Sequence, residues 1–123
     1  MTILVIAIGG AIGSVLRYLL GGLAQRSSAT GFPAGTLIVN VTGSFLIGML
    51  AQHFLNTQAS PLARAAFITG LCGGYTTFSA FSLETVGLIE GGEMGKAAAY
   101  VVLSVVVSIA ATFAGMAAVR ATT

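Results

Sequence analysis

The feature that most restricts this chain is a succession of four apolar stretches, at about residues 3–23, 36–54, 62–89 and 97–119, joined by short polar connections. Hydrocarbon cannot hydrogen-bond a bare N–H or C=O group, so helices and closed barrels are the structures that cross a bilayer. A straight helix needs roughly 20 apolar residues to do so. Only 7% of the residues are charged and the mean hydropathy is +1.00, which leaves too little charge to cover a water-soluble domain. The expected class is an all-α integral membrane protein with four transmembrane helices. A chain of 123 residues makes a single transmembrane domain, residues 1–123. The first stretch has no basic leader, carries Arg17 near its far end and is followed by three comparable segments, so it reads as a retained span rather than a signal peptide.

The third stretch is about eight residues longer than a straight crossing requires. Its centre, Gly70-Leu71-Cys72-Gly73-Gly74-Tyr75-Thr76-Thr77-Phe78-Ser79-Ala80-Phe81-Ser82, is poor helix material. Gly73 and Gly74 loosen the backbone, and Thr76 and Thr77 are β-branched and bond to it locally. Irregular backbone at membrane depth is tolerated where protein buries it or a wet cavity borders it. A helix broken near 73–77, mid-membrane, is therefore expected. The alternative is an unbroken helix in which Gly70 and Gly74, four apart, let a neighbour pack closely.

Polar residues inside the other stretches recur at helical spacing. In the first, Gly9, Gly10 and Gly13 make a smooth face, and Arg17 and Tyr18 lie near the end. Arg17 either extends to the headgroups or attracts anions at the mouth of a pathway. In the second, Thr36, Asn40 and Ser44 share one face, and the Asn40 carboxamide either donates to an anion or ties helices together. Glu84 falls late in the third stretch, facing a basic partner or a vestibule. In the fourth, Tyr100, Ser104, Ser108 and Thr112 come at steps of four, a stripe of hydroxyls that suggests a polar track. The single cysteine, Cys72, rules out an intrachain disulfide and reads as a buried thiol; His53 reads as interfacial.

Four crossings place both termini on one side, with Arg64 and Arg120; Arg26 and Lys96 lie on the other, with Arg17 close by. Basic residues set orientation, and here they divide nearly evenly. Dual topology and an antiparallel homodimer are the simplest expectation. Five basic side chains are too sparse for a nucleic-acid footprint. Phosphate-cradling loops, paired carboxylates, metal clusters and a nucleophile with a histidine base are all missing, so an enzyme is not expected. A small exporter of the multidrug type would need a carboxylate in the first span, which holds Arg17 and no acid. A small, uncharged route lined by hydroxyls and phenylalanines fits passive movement of a small ion through an oligomer, and a non-transporting assembly subunit is the alternative.

Three segments, in order and at similar spacing, resemble the CrcB/Fluc family of small dual-topology fluoride channels. They are Gly9-Gly10-Ala11-Ile12-Gly13-Ser14-Val15-Leu16-Arg17-Tyr18, then Gly35-Thr36-Leu37-Ile38-Val39-Asn40-Val41-Thr42-Gly43-Ser44-Phe45, then Gly70 to Ser82 with Glu84. Ala80 departs from the family, where threonine is common. The resemblance implies a passive, selective fluoride channel of the bacterial inner membrane that releases cytoplasmic fluoride and protects against its toxicity. It implies an antiparallel homodimer with two pores, each built from both subunits and surrounded by lipid. Asn40, Phe78 and Phe81 would line the fluoride route, and Tyr100, Ser104 and Ser108 would extend it, with Arg17 and Glu84 at a vestibule. A structural sodium ion would sit at the dimer centre on backbone carbonyls near the helix break, at Gly73 and Thr76.

Overall fold

A computed structural model describes residues 1–28 and 30–122, and every described regular element is helical. Helices α1 (Thr2–Arg26), α2 (Ala34–Thr57) and α6 (Met94–Ala121) are each long and apolar enough to cross a membrane. Their packing is inverted relative to a soluble bundle. In α1 only Gly9 and Gly13 are buried, while Ile3, Leu4, Ile8, Ile12, Val15, Leu19 and Leu23 face outward. Lipid gives apolar side chains no reason to hide, so helices associate through small residues that bring backbones together.

The third apolar stretch is not one helix. It begins with α3 (Pro61–Arg64), capped by Ser60, whose hydroxyl accepts from Ala63 N at 3.1 Å, with Pro61 opening the first turn. The chain then widens into a π-helical segment, Ala65–Cys72, and closes with α4 (Gly73–Tyr75). Thr76 (ψ 159°) and Thr77 (φ −149°, ψ 119°) are extended. Helix α5 (Phe78–Glu90) starts afresh, capped by Thr77 Oγ1 accepting from Ala80 N at 3.1 Å. The break thus occupies Thr76 and Thr77, a narrower place than 73–77. Gly73 is still helical, at φ −63° and ψ −37°.

The glycines around the break allow close approach rather than bending. A Cβ on Gly74 would lie 2.5 Å from Gly10 O, and one on Gly70 would lie 2.9 Å from Ile6 O. A Cβ on Gly9 or Gly13 would collide with the carbonyls of Ala66 or Leu71. Hence α1 lies backbone to backbone along the π segment and α4. Helices α2 and α6 meet in the same way, with Gly48 against Thr112 and Gly115 against Phe45. The helix is broken, as expected, and the unbroken alternative is not what forms, although Gly70 and Gly74 do serve the close contact that it assigned to them.

The connections are held by side chains. Gln25 donates to Phe32 O (3.0 Å) and accepts from Gly35 N (3.0 Å), spanning the α1–α2 linker, and Lys96 Nζ donates to Thr30 O (3.0 Å) from α6. At the other end Gln58 ends α2 in the left-handed region (φ 53°). There Arg64 donates to Phe54 O and Ala59 O at 3.1 and 3.3 Å, tying the end of α2 and the following turn to the start of α3.

Candidate functional site

The break is fastened to α2. Asn40 Nδ2 donates to Thr77 O at 3.0 Å, and Thr77 N donates to Asn40 Oδ1 at 2.8 Å. An unbroken helix would send the Thr77 N–H to the carbonyl of Gly73. The carboxamide replaces that bond and supplies a donor for Thr77 O. Of the two readings of Asn40, the tie between helices is the one the geometry displays; one Nδ2 hydrogen remains beyond the bond to Thr77.

Beside this clamp opens a cavity of about 370 Å³, whose walls include Asn40, Thr77, Phe78, Phe81, Ser104 and Ser108. The hydroxyls divide into two classes. Thr42, Thr57, Thr85 and Thr112 each donate to a carbonyl one turn back in their own helix, the usual recourse of a hydroxyl in an apolar helix. Ser104 Oγ and Ser108 Oγ do not. Both are shielded, neither has a hydrogen-bond partner, and both border the cavity. A buried polar atom without a protein partner is costly, so this pair of hydroxyls is placed to bond whatever polar species enters the cavity. The hydroxyl stripe of α6 therefore does three different things. Tyr100 reaches Glu84, Thr112 bonds Ser44 O (3.1 Å) and Ser108 O, and Ser104 and Ser108 stay available.

Phe78 and Phe81 form one flank, and a chain of aromatic rings leads from them away from the cavity. Phe78 and Phe81 have centroids 5.5 Å apart, Phe81 and Tyr100 5.2 Å, and Tyr100 and Phe32 5.5 Å with planes at 85°. Phe78, at the start of α5, is 77% exposed, whereas Tyr100 is fully buried. Tyr100 OH donates to Glu84 Oε1 at 3.0 Å. On the far side of the break, Arg17 and Glu84 border a cavity of about 150 Å³ together with Thr36 and Ala80. Arg17 Nε donates to Gly74 O at 3.2 Å, so its guanidinium is directed at the end of α4 rather than at headgroups. A basic side chain near the last carbonyls of a helix is favourably placed.

Gln25, which borders the 150 Å³ cavity, and Phe32, which packs on Tyr100, do not stand out in the sequence, and Thr77 stands out only as weak helix material. Thr77 had a signal, a threonine ahead of an apolar helical run, which is a capping pattern. Phe32 and Gln25 lie around a linker, where lone apolar or amide side chains read as interfacial. For a cation, the helix end supplies oxygen alone. Among the described residues no three His, Cys, Asp or Glu side chains gather. The exposed turn at Gly73 and the C-terminal end of α4 leading to Thr76 offer main-chain carbonyls, a donor set that suits a hard monovalent ion.

The protein-family model described as "CrcB-like protein, Camphor Resistance (CrcB)" matches residues 4–116. The fluoride-specific ion channel FluC of Rhizobium meliloti (strain 1021) is 53% identical over 120 residues, covering 97% of this chain and 96% of the relative. The protein of the same name from Agrobacterium fabrum is 51% identical over 118 residues, covering 95% and 94%, and that from Nitrobacter winogradskyi is 53% identical over 119 residues, covering 96% and 94%. With a family model over nearly the whole chain and half of all positions shared with each of these channels, the chain belongs to the CrcB family of membrane proteins.

Proposed function

We propose that this multi-pass membrane protein is a fluoride-specific ion channel that lets cytoplasmic fluoride leave down its electrochemical gradient. Its relatives are named ion channels, not enzymes. The observation that carries the reading is the pair of shielded, unpartnered hydroxyls of Ser104 and Ser108 facing a cavity flanked by Phe78 and Phe81. Fluoride is small and strongly hydrated, so a pore must replace its water with close donors, which two free O–H groups supply. The rim of a phenyl ring is its positive part, so Phe78 and Phe81 present edges that attract an anion without fixing it. Conduction needs sites good enough to enter and weak enough to leave. Asn40 holds the wall at Thr77 and keeps one amide hydrogen for the route, while Tyr100, behind Phe81, would serve it through Glu84 rather than from the cavity wall. Arg17 and Glu84 border the adjoining vestibule.

The functional unit is an antiparallel homodimer with four spans per subunit, the third crossing made by the two half-helices, in the inner membrane and surrounded by lipid. The exposure of Phe78 supports this, because a second copy would cover the ring and complete the route. The near-even division of basic residues supports insertion in both orientations. A structural sodium ion would be held by the carbonyls of Gly73 and Thr76, and it would supply positive charge where helix ends leave oxygens unpaired. The test is efflux from liposomes, with fluoride and chloride electrodes in parallel. Rapid fluoride release, negligible chloride release and strong slowing by Phe78→Ile are the expected results. No fluoride release from vesicles holding folded protein would overturn the reading.

A further inference from the structure

The linker between α1 and α2 is pinned from three sides. Gln25 bonds Phe32 O, Ser28 Oγ approaches the same carbonyl at 3.4 Å, and Lys96 bonds Thr30 O. The result is a fixed position for the Phe32 ring, which meets Tyr100 edge to face at 5.5 Å and packs on the small core of Leu88, Ala97 and Tyr100. Tyr100 in turn has its ring against Phe81 and its hydroxyl on Glu84 Oε1. A tyrosine turns about two side-chain bonds, and the bond to a single carboxylate oxygen fixes only the tip. The ring's orientation is left to the groups that pack on its faces and edges. Phe81 and Leu88 supply such surfaces from α5, Leu37 from α2, and Phe32 supplies the one aromatic edge contact, from the linker.

We infer that Phe32 is a positioning residue for transport: its ring holds Tyr100 in the orientation that keeps the phenol on Glu84. The inference rests on the reading of the chain as a fluoride channel. Neither Phe32 nor Tyr100 borders the 370 Å³ cavity, so Phe32 acts on the ion only through Tyr100 and the two groups Tyr100 touches, Phe81 on that cavity and Glu84 on the 150 Å³ one. A linker residue thereby becomes part of the route that α5 and α6 build, and the linker's clamp by Gln25 acquires a role beyond closing a turn.

The experiment is a double-mutant cycle in liposome flux, using Phe32→Leu, Tyr100→Phe and the two together, with Phe32→Tyr as the conservative control. Phe32→Leu is expected to lower fluoride flux roughly three- to tenfold, the factor that an edge-to-face pair is worth in an equilibrium. Phe32→Tyr, which keeps the ring, is expected to retain most of the rate. Once Tyr100→Phe has removed the hydroxyl, Phe32→Leu is expected to add little, because the two act in series. Independent multiplicative losses, or a full rate in Phe32→Leu, would overturn the inference. A separate readout does not depend on transport. A 3-fluorotyrosine placed at position 100 is expected to give one narrow ¹⁹F resonance in the parent protein and Phe32→Tyr, and a broadened or split one in Phe32→Leu. An unchanged line in Phe32→Leu refutes the positioning role, whereas absence of flux in the parent protein alone refutes the channel reading.

Discussion

Replacing Asn40 by alanine tests how much of the site depends on one carboxamide. The substitution removes both bonds to Thr77, at 3.0 and 2.8 Å, and leaves the Thr77 N–H in the break without a partner, while its carbonyl keeps the first-turn bond of α5 that a capping residue accepts. Side-chain hydrogen bonds between membrane helices average about 0.6 kcal/mol and reach about 1.7, so two of them together are worth roughly 1–3 kcal/mol. The upper part of that range is expected, because the Thr77 N–H stands ahead of the first turn of α5, where no helical carbonyl takes over its bond. Reversible unfolding in mixed micelles would measure the loss, and amide exchange at Thr77 would locate it. The amide is expected to exchange at least tenfold faster, since each 1.4 kcal/mol is about a factor of ten. Fluoride flux is expected to fall as well, because Phe78 and Phe81 lie on the helix that Thr77 begins. A variant as stable as the parent to within about 0.3 kcal/mol, with Thr77 still protected, would refute the clamp and the energies assigned to it.

Ser104→Ala and Ser108→Ala are expected to separate function from stability. Each removes a hydroxyl that bonds no protein group, so unfolding should change by less than about 0.5 kcal/mol while fluoride flux falls several-fold. Thr112→Val is expected to do the reverse, since its hydroxyl bonds Ser44 O between α2 and α6; melting should come earlier, with selectivity retained. Gly74→Leu is expected to prevent α1 from seating, because even a Cβ would lie 2.5 Å from Gly10 O, and size-exclusion chromatography should show loss of the folded species. Glu93→Gln removes an exposed pair with Lys96 at 3.5 Å and is expected to leave both flux and melting unchanged.

Sequence and structure agree best where one physical rule acts alone. Lengths of apolar residues place α1, α2 and α6, although each helix runs a few residues past the apolar core of its stretch because polar residues continue the turns into the interface. The break is legible from Gly73 to Thr77, but its position within that window depends on Asn40, a residue distant in the chain. For the same reason spacing alone leaves the role of Asn40 open: its partner is the irregular backbone that it helps create. The hydroxyl stripe is legible as a face, yet which hydroxyls remain free depends on whether a neighbouring carbonyl lies within reach. Thr112 has Ser44 O, and Ser104 and Ser108 have no such partner. Phe32 shows the limit most clearly, since its part in the site comes from a fold of the linker that no periodicity encodes.

The interruption at Thr76 and Thr77 bears on how the chain enters the bilayer. Neither half of the third stretch crosses alone: α5 has 13 residues, and the strand-like pair at its head would meet acyl chains with the Thr77 N–H exposed. That N–H finds its partner on α2, the preceding helix. The third stretch is therefore expected to leave the translocon only beside the second, as a co-inserted pair, so that biogenesis has an obligatory order in which α2 acts as a chaperone for the two half-helices made after it.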